Sequence, residues 1–118
     1  AQVVVMADPR IKVLRIKTGV VRRIAKEKVT YEKEADQQRN RIEKLKAEGK
    51  DEYDIKKQEE VLQESLMMVP DCQRRLVSAF DDLKKILSTE EDLKESEEYQ
   101  AALKVLEEAK PQLPKSDS

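Results

Sequence analysis

The strongest constraint on the fold is an apolar repeat with the 3-4 spacing of a coiled-coil seam, which runs through two long segments of the chain. Between positions 14 and 45, seven of the ten repeat positions are apolar, and between positions 55 and 86 eight of ten are apolar. This spacing places apolar side chains on one face of a helix and is typical of helices that pack lengthwise against each other. The sequence therefore predicts two long, laterally packed α-helices.

Pro70 lies inside the second repeat, where a helix does not favour proline. A proline removes one backbone hydrogen bond and its ring clashes with the carbonyl four residues earlier, which costs ~3 kcal/mol or more. The repeat nevertheless keeps its phase on both sides of Pro70, and Val69 would be a poor N-cap for a new helix. We therefore expect one long helix that bends at Pro70.

Local signals mark the ends of the two long helices. Asp8 followed by Pro9 is a favourable helix start, because aspartate caps the first turn and proline fits the first helical position. Gly49 can adopt the left-handed conformation that closes a helix, and Asp51 can cap the next one.

The third helix is expected to start at Ser88 or Thr89, since each is followed three residues later by an acidic residue. Pro111 should stop it. Its apolar residues are Leu93, Tyr99, Ala102, Leu103, Leu106 and Ala109. Short turns between long helices favour antiparallel neighbours. The predicted fold class is therefore all-α: an elongated, antiparallel, coiled-coil-like up-down-up three-helix bundle with a proline kink in the second helix.

The expected domain organisation has three parts. Residues 1–7 are predicted to be a disordered or vector-derived N-terminal extension, because Met6 resembles a natural start. Residues 8–110 form the bundle, and residues 111–118 form a flexible C-terminal tail. Gly19, inside the first helix, is either a tolerated flaw or a point of close approach to a neighbouring helix, and the flaw is the favoured interpretation.

Composition argues against an enzyme and against a metal or a cofactor. The chain has no histidine and only two glycines, so it offers no histidine-based metal site and no glycine-rich phosphate loop. Its single cysteine, Cys72, lies on the apolar seam, where a free cysteine is most often a small core residue. No apolar run approaches the ~20 residues of a membrane-spanning helix, so no membrane partner is expected.

Charge is distributed unevenly along the chain although the formal net charge is only −1. Residues 10–28 hold eight basic residues and one acid, whereas residues 90–108 hold eight acids and two lysines. The two segments could attract each other inside the bundle, or the basic one could face an acidic partner. Aromatic residues are too few and too dispersed for a base-stacking platform, so nucleic acid is not an expected partner.

Several segments resemble the tubulin-binding cofactor A family, also called tubulin-specific chaperone A: QESLMMVPDCQRRL at 63–76, MADPR at 6–10, IKTGVVRRIAKEKVTYEKEA at 16–35 and YDIKKQEEVLQES at 53–65. The resemblance runs from Met6 to about Leu106. It implies a cytoplasmic, cytoskeleton-associated chaperone that captures β-tubulin folding intermediates released from the cytosolic chaperonin. It further implies that the intermediate is held for α/β-tubulin heterodimer assembly and passed to other tubulin-folding cofactors, with no nucleotide hydrolysis.

The resemblance supplies no binding motif, so the partner-binding residues are predicted from the helix faces. The first choice is the outward face of the first helix, and the second is the neighbourhood of Pro70. The predicted residues are Arg22, Arg23, Lys26, Lys33, Met67, Met68, Asp71, Arg74 and Arg75. The alternative function is a general helical adaptor or a dimeric coiled-coil module without tubulin specificity. The sequence leaves monomer and homodimer equally open.

Overall fold

The computed structural model describes residues 8–114, and these residues contain three α-helices and no strand. Helix α1 spans Pro9–Ala47, α2 spans Glu52–Thr89 and α3 spans Glu97–Ala109. Short 3₁₀ turns at Glu91–Leu93 and Lys110–Gln112 precede and follow α3. The predicted all-α helical bundle is confirmed. The predicted extension, residues 1–7, and the last four residues of the predicted tail lie outside the described residues.

The starts of both long helices follow the sequence signals. At α1 the backbone N–H of Arg10 donates to Oδ1 of Asp8 at 2.9 Å. At α2 the backbone N–H of Tyr53 donates to Oδ1 of Asp51 at 3.2 Å. Each aspartate thus satisfies one of the N–H groups that the first helical turn leaves without a partner.

The end of α1 is a left-handed glycine turn. Gly49 has φ = 69°. Its N–H donates to the carbonyl of Lys46 at 3.1 Å, and the N–H of Lys50 donates to the carbonyl of Leu45 at 3.0 Å. These two bonds form a Schellman motif, which satisfies carbonyls that the helix end would otherwise leave open.

Helix α2 continues through Pro70 without interruption, as the phase of the repeat predicts. Every one of the twenty repeat positions in the two long helices is buried or half-buried.

Gly19, by contrast, is exposed, and a Cβ atom added there would meet nothing within 4 Å. Gly19 therefore makes no close helix contact, and the interpretation as a tolerated flaw is confirmed.

The predicted start of the third helix is wrong. The hydroxyl of Thr89 donates to the carbonyl of Lys85 at 2.9 Å, so it extends the end of α2 and does not cap a new helix. Ser88 likewise bonds back to carbonyls of the preceding turn. The true cap is Ser96, whose Oγ accepts the N–H of Tyr99 at 3.1 Å.

The described chain forms two compact units: the first holds the residues up to Ala25 and those from Gln73 onward, and the second is Lys26–Cys72. Along the first unit, Arg10 pairs with Glu90 and Lys17 with Asp82, so α1 and α2 run antiparallel.

The first unit contains the main apolar core, to which all three helices contribute. Its buried residues are Ile11, Leu14, Val21, Ile24, Leu76, Phe80, Leu83, Leu87, Leu93, Tyr99, Ala102, Val105, Leu106 and Ala109. Of the apolar residues named for the third helix, Leu103 is 41 % exposed, whereas Val105, which was not named, is buried. Beyond α3, Leu113 packs partly buried against this core, although the predicted tail begins at residue 111.

The second unit is built from α1 and α2 alone, and its interior is thinner and more polar. Its buried residues are Lys28, Ala35, Gln38, Ile42, Ser65 and Cys72. The side-chain amide of Gln38 donates to the backbone carbonyl of Gln58 at 3.2 Å and also to the side-chain oxygen of Gln58. Because a buried polar group is costly unless it is bonded, this pair favours one alignment of the two helices over others.

Candidate partner-binding surfaces

Arg10 ties the start of α1 to the connection between α2 and α3 within the first unit. Its guanidinium lies 2.6 Å from Glu90, 2.9 Å from Asp92 and 2.6 Å from Asp8. The hydrogen bonds from Arg10 lower the pKa of Asp8 and, together with those to the other two acids, raise the pKa of Arg10. Arg10, the first residue of the basic segment 10–28, therefore forms its ion pairs within the chain.

Arg15 and Lys17 continue the same internal pairing. Arg15 lies 3.1 Å from Glu98 on α3, and Lys17 lies 3.7 Å from Asp82 on α2. The pKa of Glu98 is lowered first by its own backbone N–H at the start of α3 and then by Arg15. The internal interpretation of the charge asymmetry thus holds for Arg10, Arg15 and Lys17, and contact of the other basic residues with an acidic partner stays a prediction.

Arg22 and Arg23 are exposed on α1 in the first unit and take no part in the ion pairs described above. Arg22 also lines a shallow groove of about 240 Å³ together with Gly19 and the start of α3. Arg74 and Arg75 are exposed on α2 in the same unit, and each already interacts with another group of the chain. Of the four predicted arginines of this unit, Arg74 and Arg75 are thus engaged within the chain, and Arg22 and Arg23 remain candidates for contact with a partner.

The remaining predicted residues belong to the second unit. Lys26 and Lys33 are exposed on α1. Met67 is 69 % exposed, whereas Met68 and Asp71 are half-buried, and Asp71 interacts within the chain. The nine predicted residues thus divide between two units, and we treat them as two candidate surfaces.

A groove of about 490 Å³ passes beside Met67 and Met68 in the second unit. Its lining residues are Tyr31, Glu34, Val61, Glu64, Ser65, Met67 and Met68. The sequence predictions included only the two methionines. Val61 could have been predicted to be exposed, because it is an apolar residue outside the repeat positions. In the structure it is 44 % exposed.

A second groove of about 490 Å³ lies in the same unit beside Pro70. Its lining residues are Glu32, Ala35, Asp36, Arg39, Leu66, Val69 and Pro70. Here the acids have partners, since Asp36 pairs with Arg39 at 2.9 Å and Glu32 pairs with Lys28 at 3.5 Å. The two grooves therefore differ in charge although their volumes are equal.

Three further findings concern the cysteine, metal ligands and membrane spans within the described part of the chain. Cys72 is buried. Within residues 8–114 no group of three or more cysteine, aspartate or glutamate side chains is placed to hold a metal ion. None of the described helices is long and apolar enough to cross a membrane.

Comparisons with known proteins agree on one family. The family model described as tubulin binding cofactor A matches residues 9–106. Human tubulin-specific chaperone A is 61 % identical over 105 residues, which cover 89 % of this chain and 97 % of that protein.

Solved structures lead to the same family. The structure of human tubulin chaperone cofactor A superposes with a TM-score of 0.76 at 60 % identity, over 86 % of this chain and 99 % of that one. The crystal structure of tubulin folding cofactor A from Arabidopsis thaliana gives a TM-score of 0.78 at 43 % identity, over 86 % and 96 % of the two chains.

Proposed function

This chain belongs to the tubulin binding cofactor A family, and on that premise we propose that it acts as a tubulin-folding cofactor. The observation that most supports the proposal is the near-complete coverage of relatives that are themselves named as tubulin chaperones. The bundle fits this role, because it presents exposed charged and apolar side chains on helices that its own core holds in place.

We further propose that the tubulin partner is β-tubulin. The protein would bind folding intermediates of β-tubulin released from the cytosolic chaperonin and hold them for α/β heterodimer assembly, with other tubulin-folding cofactors acting after it. Binding one folding state better than the others shifts the population toward that state without any covalent step. This mechanism needs neither a cofactor nor catalysis, and we propose with it a cytoplasmic, cytoskeleton-associated location.

Two surfaces are proposed to contact tubulin. In the first unit, Arg22 and Arg23 are exposed and would meet acidic residues of the partner. Exposed charges of this kind raise the association rate more than they raise affinity. In the second unit, Met67 and Met68 supply apolar contact, and the exposed Lys26 and Lys33 supply charge on α1.

The proposal is tested by diluting denatured β-tubulin into chaperonin and ATP, with and without this protein, and resolving the products on a native gel. We expect a discrete new species that contains both β-tubulin and this protein. Absence of that species at saturating protein would contradict the tubulin role.

The arginine surface is tested by the double variant Arg22→Glu/Arg23→Glu. A matched control is Lys84→Glu/Lys85→Glu, which reverses two adjacent exposed basic residues of the same unit and changes the net charge equally. Capture should be weaker for the arginine variant and near normal for the control, with unchanged helicity in both. Equal weakening would assign the effect to net charge, and unchanged capture by the arginine variant would remove this surface from the proposal.

A further inference from the structure

We propose that the groove lined by Tyr31, Val61, Met67 and Met68 binds a peptide segment in which apolar side chains are flanked by lysine or arginine. This inference deepens the proposed function and rests on it for the natural source of the segment, an incompletely assembled tubulin chain. All residues that line the groove belong to the second unit.

The inner surface of the groove is apolar and adaptable. Met67 and Val61 are 69 % and 44 % exposed, and Tyr31 and Met68 are half-buried beside them. Methionine has an unbranched, polarizable side chain that fits partner side chains of different shapes. A partner that covers these residues gains the free energy of removing apolar area from water.

Two acids border this apolar surface, one on each helix. Glu34 follows Tyr31 by three residues on α1, and Glu64 lies three residues after Val61 and three before Met67 on α2. Both are exposed, and neither forms an ion pair with any residue that the structure describes. A cation placed here would meet two carboxylates and would displace no internal partner.

The charge of the groove decides which occupant it favours. An acidic segment would be repelled by both carboxylates, and a second copy of this chain that docks by the same groove would bring the same two acids into the contact. A segment with basic residues beside its apolar ones matches both the apolar inner surface and the two carboxylates of the groove. Charge complementarity of this kind selects the partner and its register. The groove beside Pro70 lacks this feature, since Asp36 is already paired with Arg39.

The test uses three fluorescently labelled synthetic peptides of equal length. The first has leucines at helical 3-4 spacing with lysines at the flanking positions, the arrangement by which amphipathic helices enter apolar grooves. The second replaces each lysine with glutamate, and the third replaces each leucine with alanine. Binding to the full chain is measured by fluorescence anisotropy, and contact with Met67 by the NMR shift of its labelled methyl group.

We expect the leucine–lysine peptide to bind and the other two to bind much more weakly. Glu34→Lys and Glu64→Lys should each weaken it by about two- to fivefold, the range of exposed charge pairs. The double variant should prefer the leucine–glutamate peptide. The matched control is Glu43→Lys, an exposed acid of α1 that does not line the groove, and it should leave the affinity unchanged.

Several outcomes would overturn this inference. They are equal binding of the lysine and glutamate peptides, equal weakening by Glu43→Lys and Glu34→Lys, or no shift of the Met67 methyl resonance. If the peptide results fail while the native-gel assay still shows β-tubulin capture, the groove is refuted and the proposed function stands. If the peptide results hold while capture is absent, the groove chemistry stands and its tubulin source is refuted.

Discussion

Replacing Pro70 with alanine should stabilise the protein, because α2 continues through this exposed proline. Alanine restores an N–H that can donate to the carbonyl of Leu66, four residues earlier. In a helix interior proline is about 3 kcal/mol less favourable than alanine. The proline also restricts the unfolded chain, and losing that restriction returns about 0.4–1 kcal/mol to the unfolded state. The expected net gain in the free energy of unfolding is therefore about 2 kcal/mol.

The gain is measured by urea denaturation followed through circular dichroism at the helical band. For a chain of 118 residues, a gain of about 2 kcal/mol also raises the melting temperature by roughly 8 °C. The matched control is Pro111→Ala, because Pro111 lies in a 3₁₀ turn beyond α3 and not in a helix interior. Its effect should stay within about 0.5 kcal/mol.

An unchanged or lower stability of Pro70→Ala would refute this reasoning. It would mean that the packing of α2 requires the backbone geometry that proline imposes, so that a regular helix loses more contact than it gains in hydrogen bonding. The predicted bend at Pro70 would then be a requirement of the fold and not a tolerated defect.

Three further predictions follow from local geometry and are each measured by the midpoint of urea unfolding. Gly19→Ala should stabilise the protein by up to about 1 kcal/mol, since the added Cβ meets open space. Gly49→Ala should destabilise it by about 1 kcal/mol, because Gly49 has a positive φ. Ser96→Ala should cost about 1 kcal/mol as the loss of a cap, while Ser88→Ala should change stability by less than about 0.5 kcal/mol. The pKa of Asp8 is lower in the folded protein than in the unfolded chain. Its contribution to stability is therefore complete above the unfolded pKa of ~3.9 and is lost as the pH falls through the folded pKa. Asp8→Asn should thus reduce the loss of stability at acid pH.

The two long helices could be predicted from the sequence because their repeat is long and unbroken. Ten positions in each helix share one phase, and every one of them is buried or half-buried in the structure. The continuation of α2 through Pro70 could be predicted for the same reason, since a long repeat outweighs one residue that disfavours a helix. The caps at Asp8, Gly49 and Asp51 add local chemistry that agrees with the repeat.

The third helix was harder because it is short and its start is encoded by signals that occur more than once. Ser88, Thr89 and Ser96 all carry hydroxyls near acidic residues, yet only Ser96 caps α3. The hydroxyls of Ser88 and Thr89 bond to carbonyls of α2 instead. Over the 13 residues of α3, an apolar pattern is also too short to show that Val105 is buried and that Leu103 is 41 % exposed.

The candidate surfaces depended on three-dimensional pairing that spacing alone does not give. Arg10 and Arg15 resemble Arg22 and Arg23 in the sequence, but the first two meet acids of the same unit that lie eighty or more positions away. The groove beside Met67 likewise needs residues from both α1 and α2. A sequence repeat identifies the face that is buried, whereas a binding surface is defined by what remains exposed and unpaired.

Selective binding of β-tubulin is best tested by a competition between α- and β-tubulin for this protein. The two denatured tubulins, labelled with different isotopes, are diluted together into chaperonin and ATP with this protein present. Complexes that contain this protein are then isolated, and the two labels are counted by mass spectrometry. If the protein holds β-tubulin as a tubulin-folding cofactor, the isolated complexes should be rich in β-tubulin and nearly free of α-tubulin. Equal amounts of both, or neither, would contradict the account.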